Sequence, residues 1–487
     1  MIEEAKLSRV EQLKKEKDYT EFIRNIRQTF SDSIISDISS SYLFEPRGAY
    51  RNKSLHVLKP RSTKEVSECL KLASKYKIAV VPWSGGTGLV GGQIAPDKYY
   101  VTLSMERMNK IKNFSPVNQS IEVEAGVILE SIHEFVEKKN FTFPLSMASK
   151  GSCCIGGNLA TNAGGIGVLK YGNARDLCLG LEVVLADGSV INDIKTLKKD
   201  NTGYDLKNLF IGSEGSLGII TRAVLRLYPT PSNKIVTFFG VQNFNSALET
   251  YLDISKRFGQ FLQAFELISG VGLQFLEQTK MVQTVAQRNK LEWHILMELG
   301  FNNSSVEQDL YETLDDLYKK NIIFDVVIGD TESKAKKLWK IREDIPEANR
   351  KIGAITSHDI SLPLENMESF INKSLFEIKE INSLLRVNCF GHMGDGNLHF
   401  NIFPPQKKSN SSYISLKPKL TEIINNNCKN LGGSFSAEHG VGRLKVKDLK
   451  QYCDPGKFHV MCQLKKAMDP LAILNPGVIL SRDTQDS

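Results

Sequence analysis

Glycine is concentrated in three segments between residues 82 and 220, and this concentration limits the possible folds more than any other feature of the sequence. The first segment, residues 82–93, reads Pro-Trp-Ser-Gly-Gly-Thr-Gly-Leu-Val-Gly-Gly-Gln and has five glycines in twelve positions. Glycines permit turns with positive φ, and without Cβ atoms they let backbone N–H groups converge on one point. Such a loop suits a pyrophosphate, although a purely structural turn has the same composition. It does not match the Walker A pattern, because the sequence G-K-[ST] is missing.

The second and third segments, residues 150–165 and 211–220, combine glycines with short polar side chains. That combination suits close approach of the backbone to a flat ring that makes hydrogen bonds. Three glycine-rich segments in fewer than 150 residues are difficult to explain as structural turns alone. We therefore interpret them as several contacts along one extended cofactor.

The rest of the chain predicts an α+β protein of two or three domains. At 487 residues it is too long for one compact core. Apolar runs at 78–81 and 181–185 predict buried strands, and residues 322–328 predict another strand beyond a proline-containing hinge at 228–231. We expect a helical segment at 1–45, a first domain at 46–230, a second domain at 231–445, and a C-terminal segment at 446–487 that returns to the first domain.

Composition argues against several classes of protein. The net charge of +7 is spread along the chain without blocks of Arg and Lys, so nucleic-acid binding gains no support. The eight cysteines include no C-x-x-C pair, which indicates reduced thiols and no iron–sulfur cluster. No apolar run approaches the roughly 18–20 residues of a membrane helix, and the first residues do not form a signal peptide. We expect a soluble, cytoplasmic protein, with peripheral membrane association left open.

Two further motifs carry the residue types of a metal site. Residues 390–401 read Phe-Gly-His-Met-Gly-Asp-Gly-Asn-Leu-His-Phe-Asn, and residues 436–442 read Ser-Ala-Glu-His-Gly-Val-Gly. The two imidazoles and the carboxylate of His392, His399 and Glu438 are a recurrent ligand set for a catalytic divalent metal. A single histidine is more often a hydrogen-bonded core residue, but these lie in glycine-flanked motifs. Zn²⁺ suits the set best, with Mn²⁺ and Fe²⁺ as alternatives.

The glycine-rich segments together resemble the FAD domain of the vanillyl-alcohol oxidase superfamily, which has the PCMH-type fold. Their order especially resembles D-2-hydroxyglutarate dehydrogenases and the related D-lactate dehydrogenases, over about residues 40–480. The resemblance implies a PCMH-type FAD-binding domain followed by an FAD-linked oxidase C-terminal domain. That second domain would bind the substrate and would have an antiparallel sheet covered by helices.

The resemblance also implies which residues contact FAD. Contacts with the pyrophosphate fall on Ser84, Gly85, Gly86, Thr87, Gly88 and Gly91. Contacts with the ribityl chain and the isoalloxazine fall on Ser146, Lys150, Gly156, Gly157, Asn158 and Thr161, and contacts with the adenine side on Gly218 and Ile220. Covalent members of the superfamily attach the flavin through His or Cys. Since the first loop has no His, we expect FAD to be non-covalent.

The reaction that the resemblance implies is oxidation of a D-2-hydroxy acid to the 2-oxo acid. Flavin N5 takes the hydride, and a divalent metal on its three ligands holds the substrate. His439, beside a metal ligand, is the expected general base, because an imidazole of near-neutral pKa can accept the hydroxyl proton. Arg342 would bind a substrate carboxylate and Asn401 would hydrogen-bond the substrate. Without the resemblance, the alternative interpretation of Arg342 is a solvated helix face on which it pairs with Glu343 or another neighbour.

Two positions depart from the family pattern. Pro346 stands where the family has Thr, and Ser357 stands where it has Lys. Both family residues are expected to help hold a substrate carboxylate. The departures leave the reaction class unchanged but leave the substrate open between D-2-hydroxyglutarate, D-lactate and another D-2-hydroxy acid.

Other functions remain as alternatives at this stage. One is a flavin-dependent transferase of the alkylglycerone-phosphate synthase type, which shares the fold without net oxidation. Another is a metal hydrolase with structural glycine loops, and a third is a non-catalytic FAD-binding module. The sequence also leaves open whether a homodimer forms and whether the electron acceptor is an electron-transfer flavoprotein, a quinone or a cytochrome.

Overall fold

The computed structural model describes residues 9–30, 32–48, 50–281 and 291–482. The chain forms two compact units, each assembled from separate stretches of sequence. Unit 1 comprises Met1–Ala163, Asn173–Pro229 and His439–Ser487, and unit 2 comprises Gly164–Gly172 and Thr230–Glu438. The domain boundaries predicted from the sequence stay predictions, because compactness alone does not define a domain.

Unit 1 contains two main sheets of different type. Its strands are β1 (Ile35–Asp37), β2 (His56–Leu58), β3 (Val80–Trp83), β4 (Val101–Ser104), β5 (Ile111–Ser115), β6 (Ser120–Glu124), β7 (Phe141–Thr142), β8 (Cys178–Val184), β9 (Val190–Asp193), β10 (Ile219–Arg226) and β11 (Tyr228–Pro229). The first four form a sheet in the order β1-β2-β4-β3, in which β2, β4 and β3 are parallel. The next main sheet is antiparallel, in the order β5-β6-β10-β8-β9. The strands predicted near 78–81 and 181–185 are confirmed as β3 and β8, with shifted ends.

The helices of unit 1 cover these sheets. They are α1 (Arg9–Thr29), α2 (Thr63–Tyr76), α3 (Leu129–Glu137), α4 (Ile155–Ala160), α6 (Lys207–Phe210), α14 (Val446–Tyr452) and α15 (Pro455–Met468). Helix α2 begins where the side chain of Ser62 accepts a hydrogen bond from the backbone N–H of Glu65. Val66, Leu70 and Ala73 are spaced by four and three residues, so they share one face, and all three are buried.

The C-terminal segment is anchored to unit 1 by a buried ion pair. The Lys465 ammonium donates to a carboxylate oxygen of Asp469 at 2.5 Å and to the backbone carbonyls of Ser216 and Leu474 at 2.8 Å each. Leu474 in turn forms a parallel bridge with Val80 of β3. Residues near the end of the chain therefore complete a sheet that begins near residue 35.

Unit 2 is built on one seven-stranded antiparallel sheet. Its strands are β12 (Asn233–Val241), β13 (Leu262–Ser269), β14 (Trp293–Phe301), β15 (Phe324–Gly329), β16 (Thr356–Ser361), β17 (Arg386–His392) and β18 (Asn397–Phe403), in the order β15-β12-β14-β13-β17-β18-β16. Its helices are α5 (Val168–Tyr171), α7 (Phe244–Phe258), α8 (Gly270–Gln278), α9 (Ser305–Lys319), α10 (Glu332–Glu343), α11 (Ile345–Ile352), α12 (Met367–Ile381) and α13 (Lys417–Asn430). The predicted antiparallel sheet covered by helices is confirmed. Across the described ranges of both units, no helix has the length and hydrophobicity needed to cross a membrane.

The two faces of this sheet are covered by different helices. Side chains alternate between the faces along each strand. Phe239, Leu267 and Phe400 lie in a core cluster with residues of α7, α9, α12 and α13, whereas Ile268 and Phe390 lie in a second cluster with residues of α8, α10 and α11. Two of the three predicted metal ligands, His392 and His399, lie on strands and project from this second face.

We predict that Lys465→Ala destabilises unit 1, because it leaves the Asp469 carboxylate buried without its cation. Removing one partner of a buried ion pair costs about 3–5 kcal/mol. The expected result is a melting temperature several degrees lower by differential scanning calorimetry. Lys466→Ala is the matched control, since the Lys466 side chain is exposed. Equal melting temperatures for the two variants would contradict the anchoring role.

Candidate active site

Strand pairing in unit 2 places each predicted histidine ligand opposite an acidic residue. His392, at the end of β17, is opposite Glu266 of β13. His399, on β18, is opposite Asp359 of β16. Residues directly opposite in an antiparallel pair lie on the same face with their Cβ atoms about 5 Å apart. The register therefore supplies an acid–imidazole pair at each position.

The two imidazoles use their nitrogens in the same way. His392 Nδ1 is 2.6 Å from Glu266 Oε1, and His399 Nδ1 is 3.6 Å from Asp359 Oδ1. The other nitrogen of each ring faces Glu438: His392 Nε2 is 3.7 Å from Oε1, and His399 Nε2 is 3.8 Å from Oε2. One donor atom from each of the three predicted ligands lies within 4.8 Å of the others. The structure thus brings His392, His399 and Glu438 together.

Backbone contacts fix the third member of this cluster. The backbone N–H of Glu438 donates to Asp359 Oδ2 at 2.9 Å. The side-chain amide of Asn397 donates to the other oxygen of the same carboxylate, Asp359 Oδ1, also at 2.9 Å. A Cβ atom at Gly164 would lie 3.0 Å from Glu438 Oε1. The absence of a side chain at Gly164 therefore leaves room for the carboxylate.

Electrostatics in the cluster are dominated by burial and by the acid–imidazole pairs. Burial disfavours the charged form of His392, but the neighbouring Glu266 carboxylate outweighs this cost and raises the pKa of His392 to about 9. Burial opposes ionisation of Glu266, yet His392 and Arg342 hold the pKa of its carboxyl below the usual range. Burial raises the pKa of Glu438. Burial therefore favours the neutral form of Glu438, whereas the neighbouring carboxylates favour the charged form of His392.

The donor set fits a divalent ion. Two imidazole nitrogens and one carboxylate oxygen converge, and three protein ligands leave a coordination position open for substrate, as in catalytic zinc sites. Histidine ligands in such sites commonly donate their second ring N–H to a carboxylate, which fixes the tautomer and the ring orientation. Glu266 and Asp359 are placed for that task. Sequence reasoning missed both as partners, although Glu266 stands out as the one acid in a buried, mostly apolar strand.

Arg342 and Asn401 lie on the same side of the sheet as the cluster. Arg342, from α10, is buried; its Nε donates to Glu266 Oε2 at 2.8 Å, and its guanidinium lies 4.7 Å from the centroid of the Phe390 ring. The alternative interpretation of a solvated helix face is therefore wrong. Asn401 follows His399 by two residues on β18, so both side chains project from the same face. Its amide donates to the backbone carbonyl of His399 at 3.3 Å.

The two positions that depart from the family pattern are both exposed. Ser357 lies on β16, opposite Asn401 and two residues before Asp359, so it shares their face. Pro346 lies in the first turn of α11. His358, between Ser357 and Asp359, projects from the other face, where its Nε2 is 3.1 Å from Thr356 Oγ1.

In unit 1, the glycine-rich segments meet one another. The Gly157 N–H donates to Ser84 Oγ at 3.1 Å, and a Cβ atom at Gly85 would lie only 2.1 Å from the carbonyl oxygen of Ser152. The third segment joins the second through the N–H of Glu214, which donates to the carbonyl of Ala160 at 2.7 Å. The predicted cofactor segments are therefore packed together at the end of β3.

The first loop leaves backbone donors for a ligand. Within the part of the chain that the structure describes, the N–H groups of Gly85, Gly86, Thr87 and Gly88 donate no hydrogen bond to protein atoms. These residues are neither fully buried nor exposed. A run of unused amides held against a second loop suits the negative charge of a pyrophosphate. The residues present therefore fit FAD.

The remaining predicted cofactor residues occupy varied surroundings. Asn158 is buried in α4, and the Thr161 hydroxyl donates to the carbonyl of Gly157 at 3.0 Å. Gly91 has φ +73° and a Cβ atom at Gly156 would collide with Ala125. Ser146 is half-buried, and Lys150 is exposed with its Nζ 3.8 Å from Glu130 Oε1. Gly218 and Ile220 pack at the start of β10.

His439 follows Glu438 directly and is the first residue of the returning stretch of unit 1. Its side chain is half-buried. The stretch that follows reads Gly440-Val441-Gly442, and it contacts the third glycine-rich segment.

Comparison with known proteins agrees with the fold and with an FAD-binding domain in the first part of the chain. Residues 54–193 match the FAD binding domain model, and residues 230–479 match the model of the C-terminal domain of FAD linked oxidases. These matches define the class, an FAD-binding oxidoreductase. Mitochondrial D-2-hydroxyglutarate dehydrogenase of Bos taurus is 38% identical over 432 residues, which are 88% of this chain and 77% of the bovine protein. The chain belongs to the D-2-hydroxyglutarate dehydrogenase family of FAD-linked oxidases.

Two further comparisons extend the match. D-2-hydroxyglutarate dehydrogenase of Xanthomonas citri pv. viticola is 31% identical over 433 residues, which are 89% of this chain and 90% of that protein. Among solved structures, an alkyldihydroxyacetonephosphate synthase superposes with a TM-score of 0.71 at 18% identity, covering 94% of this chain and 84% of the synthase chain. At that identity the likeness to the synthase shows a common fold alone.

We predict that Glu266→Gln weakens metal binding while leaving FAD bound. The amide cannot accept the Nδ1 proton of His392 and the Arg342 N–H as a carboxylate does, so the ring loses its fixed orientation. Loss of such a partner typically costs about 10–100-fold in metal affinity. Zn²⁺ titration calorimetry on metal-depleted protein measures the effect.

The matched control for this variant is Glu298→Gln. Glu298 lies on the neighbouring strand β14 and accepts a hydrogen bond from Trp339 Nε1 at 2.7 Å. Its variant should bind Zn²⁺ as the unaltered protein does. Unchanged affinity in Glu266→Gln would show that the pair does not orient a ligand.

Proposed function

We propose that this chain oxidises a D-2-hydroxy acid to the corresponding 2-oxo acid, with non-covalent FAD as hydride acceptor and a divalent metal, zinc, on His392, His399 and Glu438. The observation that supports this most strongly is the paired orientation of the two imidazoles. Each has Nδ1 toward a buried carboxylate and Nε2 toward Glu438. Membership of the family of FAD-linked oxidases supports FAD as the redox cofactor.

The reaction removes a hydride from C2 and a proton from the hydroxyl on the same carbon. FAD, when bound, accepts the hydride, and a divalent ion supplies a Lewis acid for the hydroxyl and carboxylate oxygens. His439 accepts the hydroxyl proton, because a neutral imidazole nitrogen can act as a general base. Arg342 binds substrate carboxylate, for which a guanidinium fork is suited, and Asn401 donates or accepts a hydrogen bond to the substrate.

The buried surroundings of Arg342 support its proposed role in binding the substrate carboxylate. Its guanidinium is held by Glu266 on one edge and packs over Phe390. Contacts of this kind fix the side chain before substrate arrives, so little rotamer entropy is lost on binding. The same Glu266 carboxylate also orients His392, so one acid sets the geometry of both the metal site and the carboxylate-binding group.

The alternatives have less support. A hydrolase does not account for the match to an FAD-binding domain or for the unused amides of the first glycine loop. A transferase of the synthase type shares the fold, but the higher-identity relatives are named as dehydrogenases. The predicted cytoplasmic location stays a prediction, because the bovine relative is named as mitochondrial, and the electron acceptor and the homodimer also stay open.

The central experiment is anaerobic reduction of the purified holoprotein by a panel of D- and L-2-hydroxy acids. We expect bleaching of the flavin absorbance by D-acids only, and loss of bleaching after treatment with a chelator. His439→Ala should retain FAD and lose rapid bleaching, because the hydroxyl proton then has no acceptor. Loss of a general base typically costs about 10²–10⁴-fold in rate.

The control for this experiment is His459→Ala, since His459 is exposed on α15. Its reduction rate should equal that of the unaltered protein. Flavin that no D-2-hydroxy acid reduces would contradict the proposed function. Bleaching that survives chelation would remove the metal from it while leaving the oxidation.

Substrate choice should respond to a substitution at Ser357. We predict that Ser357→Lys raises kcat/KM for D-2-hydroxyglutarate relative to D-lactate by about tenfold, because an ammonium on the ligand-bearing face can pair with a second carboxylate. Ser357→Met is the control, as it has similar length and no charge. Steady-state kinetics with both substrates measure the ratio. An equal ratio for the two variants would show that residue 357 does not contact the distal carboxylate.

A further inference from the structure

Glu214 holds the backbone that follows the proposed general base. It belongs to the third glycine-rich segment of unit 1 and its side chain is buried. Glu214 Oε1 accepts from the N–H of Val441 at 2.7 Å, and Oε2 accepts from the N–H of Gly442 at 2.8 Å. Hydrogen bonds from two successive backbone amides fix both the position and the direction of that backbone.

The glycines that flank Val441 make this contact possible. A Cβ atom at Gly440 would lie 2.7 Å from Glu214 Oε1, and one at Gly442 would lie 2.1 Å from the carbonyl oxygen of Val90. Both glycines also have positive φ, +78° and +53°. The Gly-Val-Gly sequence after His439 is therefore explained by close approach to Glu214 and to the first glycine-rich segment.

The backbone of Glu214 is itself fixed. Its φ is +51°, an uncommon value for a residue with a side chain. Its N–H donates to the carbonyl of Ala160 at 2.7 Å, and its carbonyl accepts from the Asn475 side chain at 2.9 Å. The carboxylate thus projects from a rigid point rather than from a mobile loop.

We propose that Glu214 is a positioning residue for His439. This inference rests on the proposed function, in which His439 accepts the hydroxyl proton. Glu214 does not touch the reacting atoms; it fixes the chain two and three residues beyond the imidazole. A displacement of about 1 Å in a catalytic group can cost on the order of 10²-fold in rate.

A role in folding alone is less well supported, because other side chains anchor the same segment. Arg443 Nε donates to the carbonyl of Ile94 at 2.9 Å, and its Nη2 donates to Asn475 Oδ1 at 3.0 Å. Lys465 provides a further anchor downstream. The segment therefore stays attached to unit 1 when one of the Glu214 bonds is lost.

The test is Glu214→Gln, studied by stopped-flow flavin reduction under anaerobic conditions. The amide keeps one acceptor oxygen and turns an NH₂ group toward the second backbone N–H, so one of the two bonds is lost. We expect a rate of flavin reduction at saturating D-2-hydroxy acid about 10–100-fold lower. The substrate dissociation constant, the FAD content and the Zn²⁺ content should stay unchanged.

Glu45→Gln is the matched control. Glu45 is a buried carboxylate of unit 1 that also accepts from two backbone N–H groups, those of Arg47 at 2.6 Å and Tyr50 at 3.3 Å. Its variant should lower the melting temperature without changing the reduction rate. Gly440→Ala is a second probe, because its methyl group displaces the same carboxylate from the other side; it should reproduce the slow reduction.

A double variant separates positioning from general stabilisation. If Glu214 acts through His439, Glu214→Gln should cost nothing further in the His439→Ala background, where slow reduction is followed over hours. Additive losses, or an unchanged rate in Glu214→Gln, would overturn the positioning role. An unchanged rate in His439→Ala would instead overturn the proposed general base, so the two failures are distinguishable.

Discussion

Each imidazole of the proposed metal site has its Nδ1 directed toward a buried carboxylate, Glu266 at 2.6 Å and Asp359 at 3.6 Å, and the proposed function depends on this pairing. An imidazole has two nitrogens, and committing Nδ1 to an acid leaves Nε2 as the ligand atom. The acids are expensive to bury, and the cost is offset by neighbours: Arg342 pairs with Glu266, and the Asn397 amide binds Asp359. The site is consequently one connected network, in which a ligand, its orienting acid and the anion-binding arginine depend on one another.

The sheet of unit 2 makes such a network possible because strands far apart in sequence lie side by side. Glu266 and His392 are separated by 126 positions in the chain and face each other across one strand pair. In unit 1 the proposed cofactor loop offers backbone amides instead of side chains. Its sequence therefore needs residues without side chains at positions such as Gly85.

Sequence patterns predicted the parts of this architecture that depend on local chemistry. Glycine spacing indicated the loops of unit 1, and apolar runs indicated β3 and β8, because turns and strands are set by neighbouring residues. The resemblance supplied the family and the antiparallel sheet. Glu266 could not be identified as a partner of His392, since that role depends on the register between β13 and β17, which no local pattern encodes. The sequence likewise did not show toward which face of the sheet His358 projects. In the structure, strand alternation places it on the face opposite Ser357 and Asp359.

The chain enters and leaves unit 2 twice, through Gly164–Gly172 and through Thr230–Glu438, so neither unit is one continuous segment. Strand β3 pairs with β4 along one edge, and Leu474 forms a bridge with Val80 at its other edge. During synthesis on the ribosome the chain emerges in order from the N-terminus, so this edge of β3 stays unpaired until residue 474 has emerged. An unpaired strand edge can pair with other chains, so the order of synthesis leaves this edge of β3 open to wrong pairing for as long as Leu474 is missing.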